Sequence, residues 1–289
     1  SSHEEPLSSA ELYLSPHPII PLPLSTGCFW RRCLFCPDGQ LPFHAVPTKT
    51  LEAFVGSVPA GFRRQKRGRR PVFHLIDSAL PPKKLRAFLP LARELGAGFY
   101  GFARPSEALL KDDLLSQAAE SGCLMLQLGV ESGSRELLDT YQKGIDPAVS
   151  SRVLSEAAAA GIRTYAYLLM GLPGETPAHR QATLDLLERH GDEVDFLNLS
   201  LFNLPRSCSL VEHRKAFGIE IEEFPGDDKA LRLYYPFTVE EGSPRNEARR
   251  FLKENFWPHP TVHAIHLRTP RWLRAAHLSL MRLPGRRPV

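Results

Sequence analysis

The chain has 289 residues, 43% hydrophobic and 24% charged, enough to bury the core of one large α/β domain or two smaller ones. Its formal net charge of +4 is a weak basicity that does not by itself imply a nucleic-acid partner. No apolar run approaches the roughly 20 residues that cross a bilayer, which argues against a membrane-spanning helix.

The start, Ser1-Ser2-His3-Glu4-Glu5-Pro6, lacks the basic-then-apolar order of a secretory signal. It opens without Met, as a processed, trimmed or excised chain does. Residues 1–17 are rich in Ser, Pro and acidic side chains and read as a surface arm or linker. Residues 19–24 (Ile-Ile-Pro-Leu-Pro-Leu) form a first strand, irregular or at an edge because Pro cannot donate to a ladder. A cysteine-rich loop follows, then a helix over 48–58 with Thr48 near its cap. Residues 63–70 are a dense basic run. Residues 72–76 (Val-Phe-His-Leu-Ile) read as a buried strand ending at Asp77, and 83–95 carry apolar positions at helical spacing.

Residues 98–103 form a third strand, and 107–121 the helix after it. A fourth strand covers 124–130 and runs into Glu131-Ser132-Gly133-Ser134 and a helix from Arg135. A further helix over 147–160 ends at Gly161, well placed as a C-cap. The fifth strand, 162–170, leads to Gly171-Leu172-Pro173-Gly174-Glu175-Thr176. A helix over 178–190 and a sixth strand over 194–201 complete the alternation. Six short strands alternating with helices call for a parallel sheet with right-handed crossovers. The cysteine loop, Asp77, Arg104, Glu131, Gly171 and Asn203 all fall at or just past the C-terminal ends of those strands, where such sheets carry their functional loops.

The loop Gly27-Cys28-Phe29-Trp30-Arg31-Arg32-Cys33-Leu34-Phe35-Cys36-Pro37 places three cysteines in a C-x4-C-x2-C spacing. Three soft thiolates on one loop suit an iron–sulfur cluster. With three ligands, a four-iron cube keeps one iron free for chemistry. A zinc site is the alternative, with His44 as a fourth ligand. Five cysteines, three of them in this loop, fit a reducing compartment better than a disulfide framework, so a cytoplasmic location is expected.

The loop resembles that of the radical S-adenosylmethionine (radical SAM) superfamily. Phe35 supplies the aromatic that usually precedes the last cysteine, and the first gap is one residue longer than the usual C-x3-C-x2-C. The longer gap with a Trp inside is similar to a subset with the character of cobalamin-binding radical SAM proteins. So are residues 73–82, Gly129-Val130-Glu131-Ser132-Gly133-Ser134 with Lys143-Gly144, and residues 171–176.

The resemblance implies an α/β fold, a partial (β/α)6 TIM-like barrel over 18–205, with 206–289 as a mixed or helical extension beside its open edge on the substrate side. It implies a 4Fe-4S cluster on Cys28, Cys33 and Cys36 and S-adenosylmethionine as co-substrate. By the same resemblance Glu131 contacts ribose, Lys143 the SAM carboxylate, and Asp77 with Ser78 the methionine amino group. Phe35 flanks the adenine, with Leu172 and Leu199 on its other side. Tyr167 and Arg104 face SAM or substrate. On residue type alone, Glu131 equally suits a helix N-terminus, Lys143 a solvated surface, and the two leucines ordinary core.

The expected reaction is reductive cleavage of SAM to a 5′-deoxyadenosyl radical, used for C–H functionalisation on a small-molecule or peptide substrate. The electron comes from a flavodoxin or ferredoxin. The resemblance admits cobalamin as a methyl carrier, although the chain carries no Asp-x-His-x-x-Gly pattern. Gly171-Leu172-Pro173-Gly174 lacks the Gly-Lys-Ser/Thr ending of a phosphate loop. Cys123 reads as a buried small hydrophobe and His263 and His266 as structural, while Cys208, past the sixth strand near the open edge, is left as a candidate ligand or thiyl site. A second reading from another class remains: a non-catalytic zinc or iron–sulfur protein that binds nucleic acid through the basic run.

Overall fold

Six strands pair in strict chain order into one parallel sheet: β1 Ile19–Leu22, β2 Val72–Leu75, β3 Gly98–Ala103, β4 Cys123–Glu131, β5 Arg163–Met170 and β6 Phe196–Leu201. The computed structural model describes residues 17–58, 70–222 and 232–270. β1 and β6 do not pair, so the sheet is an open, partial TIM-like barrel.

The longer helices between the strands are Thr48–Gly56 (α1), Pro82–Leu95 (α2), Leu114–Glu120 (α3), Arg135–Thr140 (α4), Pro147–Ala159 (α5) and Pro177–Arg189 (α6), with a single short turn of helix at Glu107–Leu110. α2 shows the local logic. Prolines at its start need no intrahelical donor, and Leu85, Phe88, Leu89 and Ala92 bury one stripe. Gly96 then stops it in the left-handed region at φ 65°. Phe88 meets Phe73 and Phe99 edge-on, at 5.7 and 5.3 Å between centroids, joining the helix layer to β2 and β3.

Strand alternation divides the side chains. Phe73, Phe99, Leu126, Leu128, Ala166 and Leu168 face the helices. Val72, Tyr100, Met125, Tyr165 and Phe196 pack together on the other face and fill the base of the barrel. His74 stacks on Tyr100 at 4.4 Å, and Gln127 donates to the Tyr167 hydroxyl at 3.0 Å, so the lining above that base is aromatic and polar.

Boundaries shift by a residue or two at several elements, and three departures from the sequence reading have a clear physical cause. The first strand stops at Leu22, because the Leu24 N–H turns away from the ladder to the Asp77 carboxylate. The single helix expected over 107–121 is broken after Leu110, where Asp112 and Asp113 both take φ 52°. Asp tolerates that region better than most residues, and no α-helix runs through it. The sixth strand begins at Phe196, not Val194, whose N–H still bonds back to His190.

Beyond β6 the chain makes two small antiparallel pairings, Leu204–Pro205 with Tyr234–Tyr235 and Ile219–Ile221 with Phe237–Val239. The helices Pro244–Phe251 (α7) and Pro260–Arg268 (α8) follow. α8 lies along β6. Val262 and Ile265 join the main core, and the Leu197 N–H donates to Thr269 Oγ1 at 3.0 Å on the unpaired side of that strand. Among the described residues no helix is long and apolar enough to cross a membrane.

Candidate functional site

The cysteine loop leaves β1 and crosses the C-terminal mouth of the barrel, where backbone bonds hold it from two sides. The Leu34 N–H donates to the Tyr141 carbonyl at 3.1 Å, and the Leu34 carbonyl accepts from Leu210 at 2.9 Å. Cys33 and Cys36 close a tight turn through the Cys36 N–H and the Cys33 carbonyl, 3.3 Å apart. Cys33 is buried, and Cys28 and Cys36 are half-buried; all three are free thiols. Asp77 anchors the start of the loop. One carboxylate oxygen accepts from Leu24 N at 3.0 Å and the other from Ser25 Oγ at 2.5 Å.

Trp30, in the long first gap, docks on the turn after α4. Its indole N–H donates to the Gln142 carbonyl at 2.8 Å. Gly144 makes this possible: at φ +61° its missing Cβ would lie 2.0 Å from the indole ring. Arg104, just past the end of β3, lies over Trp30, its guanidinium carbon 4.3 Å from the ring centroid. Arg104 Nη2 donates to the carbonyls of Lys143 at 2.6 Å and Gly144 at 3.2 Å, while Nη1 reaches Cys33 Sγ at 3.9 Å.

Glu131 ends β4 at a register shift and takes φ 65°, uncommon for a residue with a Cβ. Gly129 gives the turn its room, since a Cβ there would lie 2.8 Å from the Phe102 ring and 3.2 Å from Glu131 Oε1. Lys143 Nζ donates to Glu131 Oε1 at 2.8 Å, and that ammonium stands 5.8 Å from the Phe35 ring centroid. Glu131, Lys143 and Phe35 are thus one group beside the three thiols.

The donor set fits an iron–sulfur cluster. Burial pushes the Cys33 thiol up, and the charges of Lys143 and Arg104 oppose that; burial also pushes Cys36 up to about 11. A thiol held protonated by burial becomes a thiolate once it ligates a metal, and the two flanking cations favour that charge. Among the described residues no three His, Cys, Asp or Glu are gathered tightly enough to hold a single ion. His44, the fourth ligand of the zinc alternative, is exposed on a short strand pair with Ser25–Thr26. A cluster several ångströms across spreads its thiolates more widely than one zinc does.

The remaining positions divide. Tyr167 faces the barrel interior against Phe102, 5.3 Å between centroids, and burial raises its phenol. Leu172 is buried with Leu34, Tyr141 and Phe35 beneath the loop. Leu199 packs on the helix side, one position out of phase with the interior, to which Asn198 and Ser200 are turned. Both Asp77 oxygens serve the loop. Cys123 is fully buried, its thiol pushed up to about 12, and Cys208 lies in the apolar cluster with Leu34 and Leu210. His263 is exposed, and His266 lies 5.2 Å from Trp257. Of the basic run, residues 63–69 lie outside the described residues.

Sequence reasoning passed over two features. Trp30 was visible only as the odd residue of a lengthened gap. The other is a charged lock on the loop after β5. Glu175 accepts from the Gly171 N–H at 2.7 Å, and buried Arg180 bonds both Glu175 and Glu247 of α7, at 3.4 and 3.2 Å.

A family model described as the radical SAM superfamily matches residues 22–187, more than half of the chain. An uncharacterised protein of Methanocaldococcus jannaschii is 23% identical over 181 residues, covering 58% of this chain and 56% of the relative. Among solved structures, the cobalamin-dependent S-adenosylmethionine radical enzyme OxsB with aqua-cobalamin and S-adenosylmethionine bound has a TM-score of 0.61 at 17% identity. The match covers 82% of this chain and 41% of OxsB. The radical S-adenosylmethionine methyltransferase TsrM from Kitasatospora setae, with cobalamin and a [4Fe-4S] cluster bound, gives 0.55 at 18%, covering 83% and 45%. Coproporphyrinogen III oxidase (HemN) from Escherichia coli, a radical SAM enzyme, gives 0.52 at 19%, covering 86% and 55%. The chain therefore spans about half the length of the relatives it matches.

Proposed function

The chain belongs to the radical SAM superfamily, and from that premise we propose that it is the catalytic barrel of an enzyme that reductively cleaves S-adenosylmethionine. One observation carries the proposal: the three thiols of Cys28, Cys33 and Cys36 share one loop at the barrel mouth, with Lys143, Glu131 and Arg104 gathered beside it. A 4Fe-4S cluster held by those thiols would supply the single electron and the iron site for cleavage of SAM to methionine and a 5′-deoxyadenosyl radical.

The protein's own groups bind and orient. Lys143 offers a cation to the methionine carboxylate, and Glu131 offers lone pairs to the ribose hydroxyls or the methionine ammonium. Phe35 gives an apolar flank to the adenine. Asp77 holds the loop that carries the cysteines. Tyr167 and Phe102, with Gln127 beneath, bound the interior where substrate meets the radical; enclosure there keeps water from it.

The substrate class is a small molecule or peptide, and a low-potential flavodoxin or ferredoxin delivers the electron. The narrower form of the proposal is methyl transfer with cobalamin. It is supported by the resemblance in residues 73–82, and by OxsB and TsrM being described as structures with cobalamin bound.

Anaerobic reconstitution with iron and sulfide tests the reading. The expected result is a brown protein with about four irons per chain whose reduced spectrum responds to SAM and which releases 5′-deoxyadenosine. S-adenosylhomocysteine formed only with added cobalamin supports the narrower form. A colourless, zinc-loaded protein indifferent to SAM overturns the reading and favours the nucleic-acid binder.

A further inference from the structure

Arg104 has no solvent-facing task. It is buried at the end of β3, and its guanidinium is divided among four partners: the Cys33 sulfur, the Lys143 and Gly144 carbonyls, and the Trp30 ring. Nη2 is committed to the two carbonyls and Nη1 to the Cys33 sulfur, and among the described residues no salt bridge to Arg104 is found within 4.0 Å. Its charge is therefore left facing the thiols.

Two consequences follow from that placement. Mechanically, Arg104 ties the loop to the 142–144 turn, contacting both the Trp30 ring and the Lys143 and Gly144 carbonyls. Electrostatically, it is a buried cation near one thiolate ligand. The potential of an iron–sulfur cluster depends on net charge, on hydrogen bonds to its sulfurs and on exposure to solvent. A fixed cation nearby favours the reduced, more negative state.

Building on the cluster reading above, we propose that Arg104 is a positioning residue that sets the reduction potential of the cluster through Cys33, by donating to that sulfur and holding a positive charge against it. Lys143 stands on the side of Phe35 and Glu131, and its charge is answered by the Glu131 carboxylate. Glu131 also acts on Arg104 through space, but among the described residues Arg104 makes no salt bridge and is the cation that donates directly to a cysteine sulfur.

The test compares the full chain, Arg104→Lys and Arg104→Gln, each reconstituted anaerobically and titrated with dithionite without SAM, following the reduced cluster by electron paramagnetic resonance. In Arg104→Gln the ratio of reduced to oxidised cluster at a given poise should fall about tenfold, a shift of about 59 mV to more negative potential for a one-electron couple. Arg104→Lys should stay much closer to the parent. Equal potentials in the parent and Arg104→Gln, at full iron content, overturn the proposal.

If Arg104→Gln takes up no cluster, reconstitution is repeated with added guanidinium ion. Restored iron content and parental potential support the proposal, and no restoration in a protein with native circular dichroism overturns it. Failure of the parent chain itself to take up iron would instead refute the cluster reading on which this inference rests.

Discussion

Lys143 Nζ and Glu131 Oε1 lie 2.8 Å apart, with the two side chains only 6% and 14% exposed. A pair so poorly hydrated is costly to break by halves, because the survivor is left buried and uncompensated. Lys143→Met alone should lower stability by about 3 kcal/mol, and the double variant Lys143→Met/Glu131→Gln by clearly less. Chemical denaturation of the four proteins of the cycle measures this; additive losses would show that the pair is not coupled.

Gly144 is the second test of the mouth. Ala at 144 would carry a Cβ into the Trp30 ring at 2.0 Å and force a left-handed backbone on a residue with a side chain. Gly144→Ala should cost about 2 kcal/mol or more and should lower iron uptake although every cysteine remains. Thermal unfolding and iron content check both, and an unchanged Tm would show that Trp30 is free to move aside.

Asp77→Ala leaves the Leu24 N–H and the Ser25 hydroxyl without their acceptor, at about 1–3 kcal/mol. Asp77→Asn keeps an acceptor oxygen and should recover part of that loss. If Asp77 acts by holding the loop, iron uptake will follow stability through the series. Full uptake in a destabilised Asp77→Ala would separate the two roles.

The lock on the loop after β5 predicts a pH dependence. Burial pushes the Glu175 carboxyl from 4.5 up to about 7, against the Gly171 N–H and Arg180, which favour its charge. Between those two values the folded chain binds the proton more strongly than the unfolded chain, so this contribution to stability is present below about 4.5 and lost as the pH rises through about 7. The Tm of the parent relative to Glu175→Gln should therefore be higher at pH 5 than at pH 7.5. A constant difference would rule out Glu175 as the titrating group.

Replacing any one of Cys28, Cys33 or Cys36 by Ala should abolish release of 5′-deoxyadenosine, while Cys123→Ala should retain most of it. Cys123 is buried at the base of β4 with its thiol near the Met125 carbonyl, far along the strand from the mouth. Equal loss from Cys123→Ala in a folded protein would reassign the ligands.

Much of this arrangement is legible in the sequence. The C-x4-C-x2-C spacing and the strand ends at Asp77, Arg104, Glu131 and Gly171 follow from local pattern, and the Glu131–Lys143 grouping from family resemblance. Leu199 shows the limit of period-two reasoning. Leu197 and Leu199 look no less suited to the interior than Asn198 from residue type, and only sheet register decides. The Trp30–Gln142 bond, between residues 112 apart in sequence, has no local signature at all. The left-handed pair Asp112 and Asp113 broke an otherwise plausible helix because apolar spacing says nothing about backbone sign.

Thr269 has a consequence well away from the iron. Among the described residues no further strand pairs with the outer flank of β6, and an unpaired strand edge is the kind of surface on which a foreign strand can add. The Thr269 hydroxyl engages one backbone donor there, and α8 packs along the strand. Cutting the chain ahead of that helix would leave a ready template for self-association, and turbidity would then betray the damage sooner than any assay of turnover.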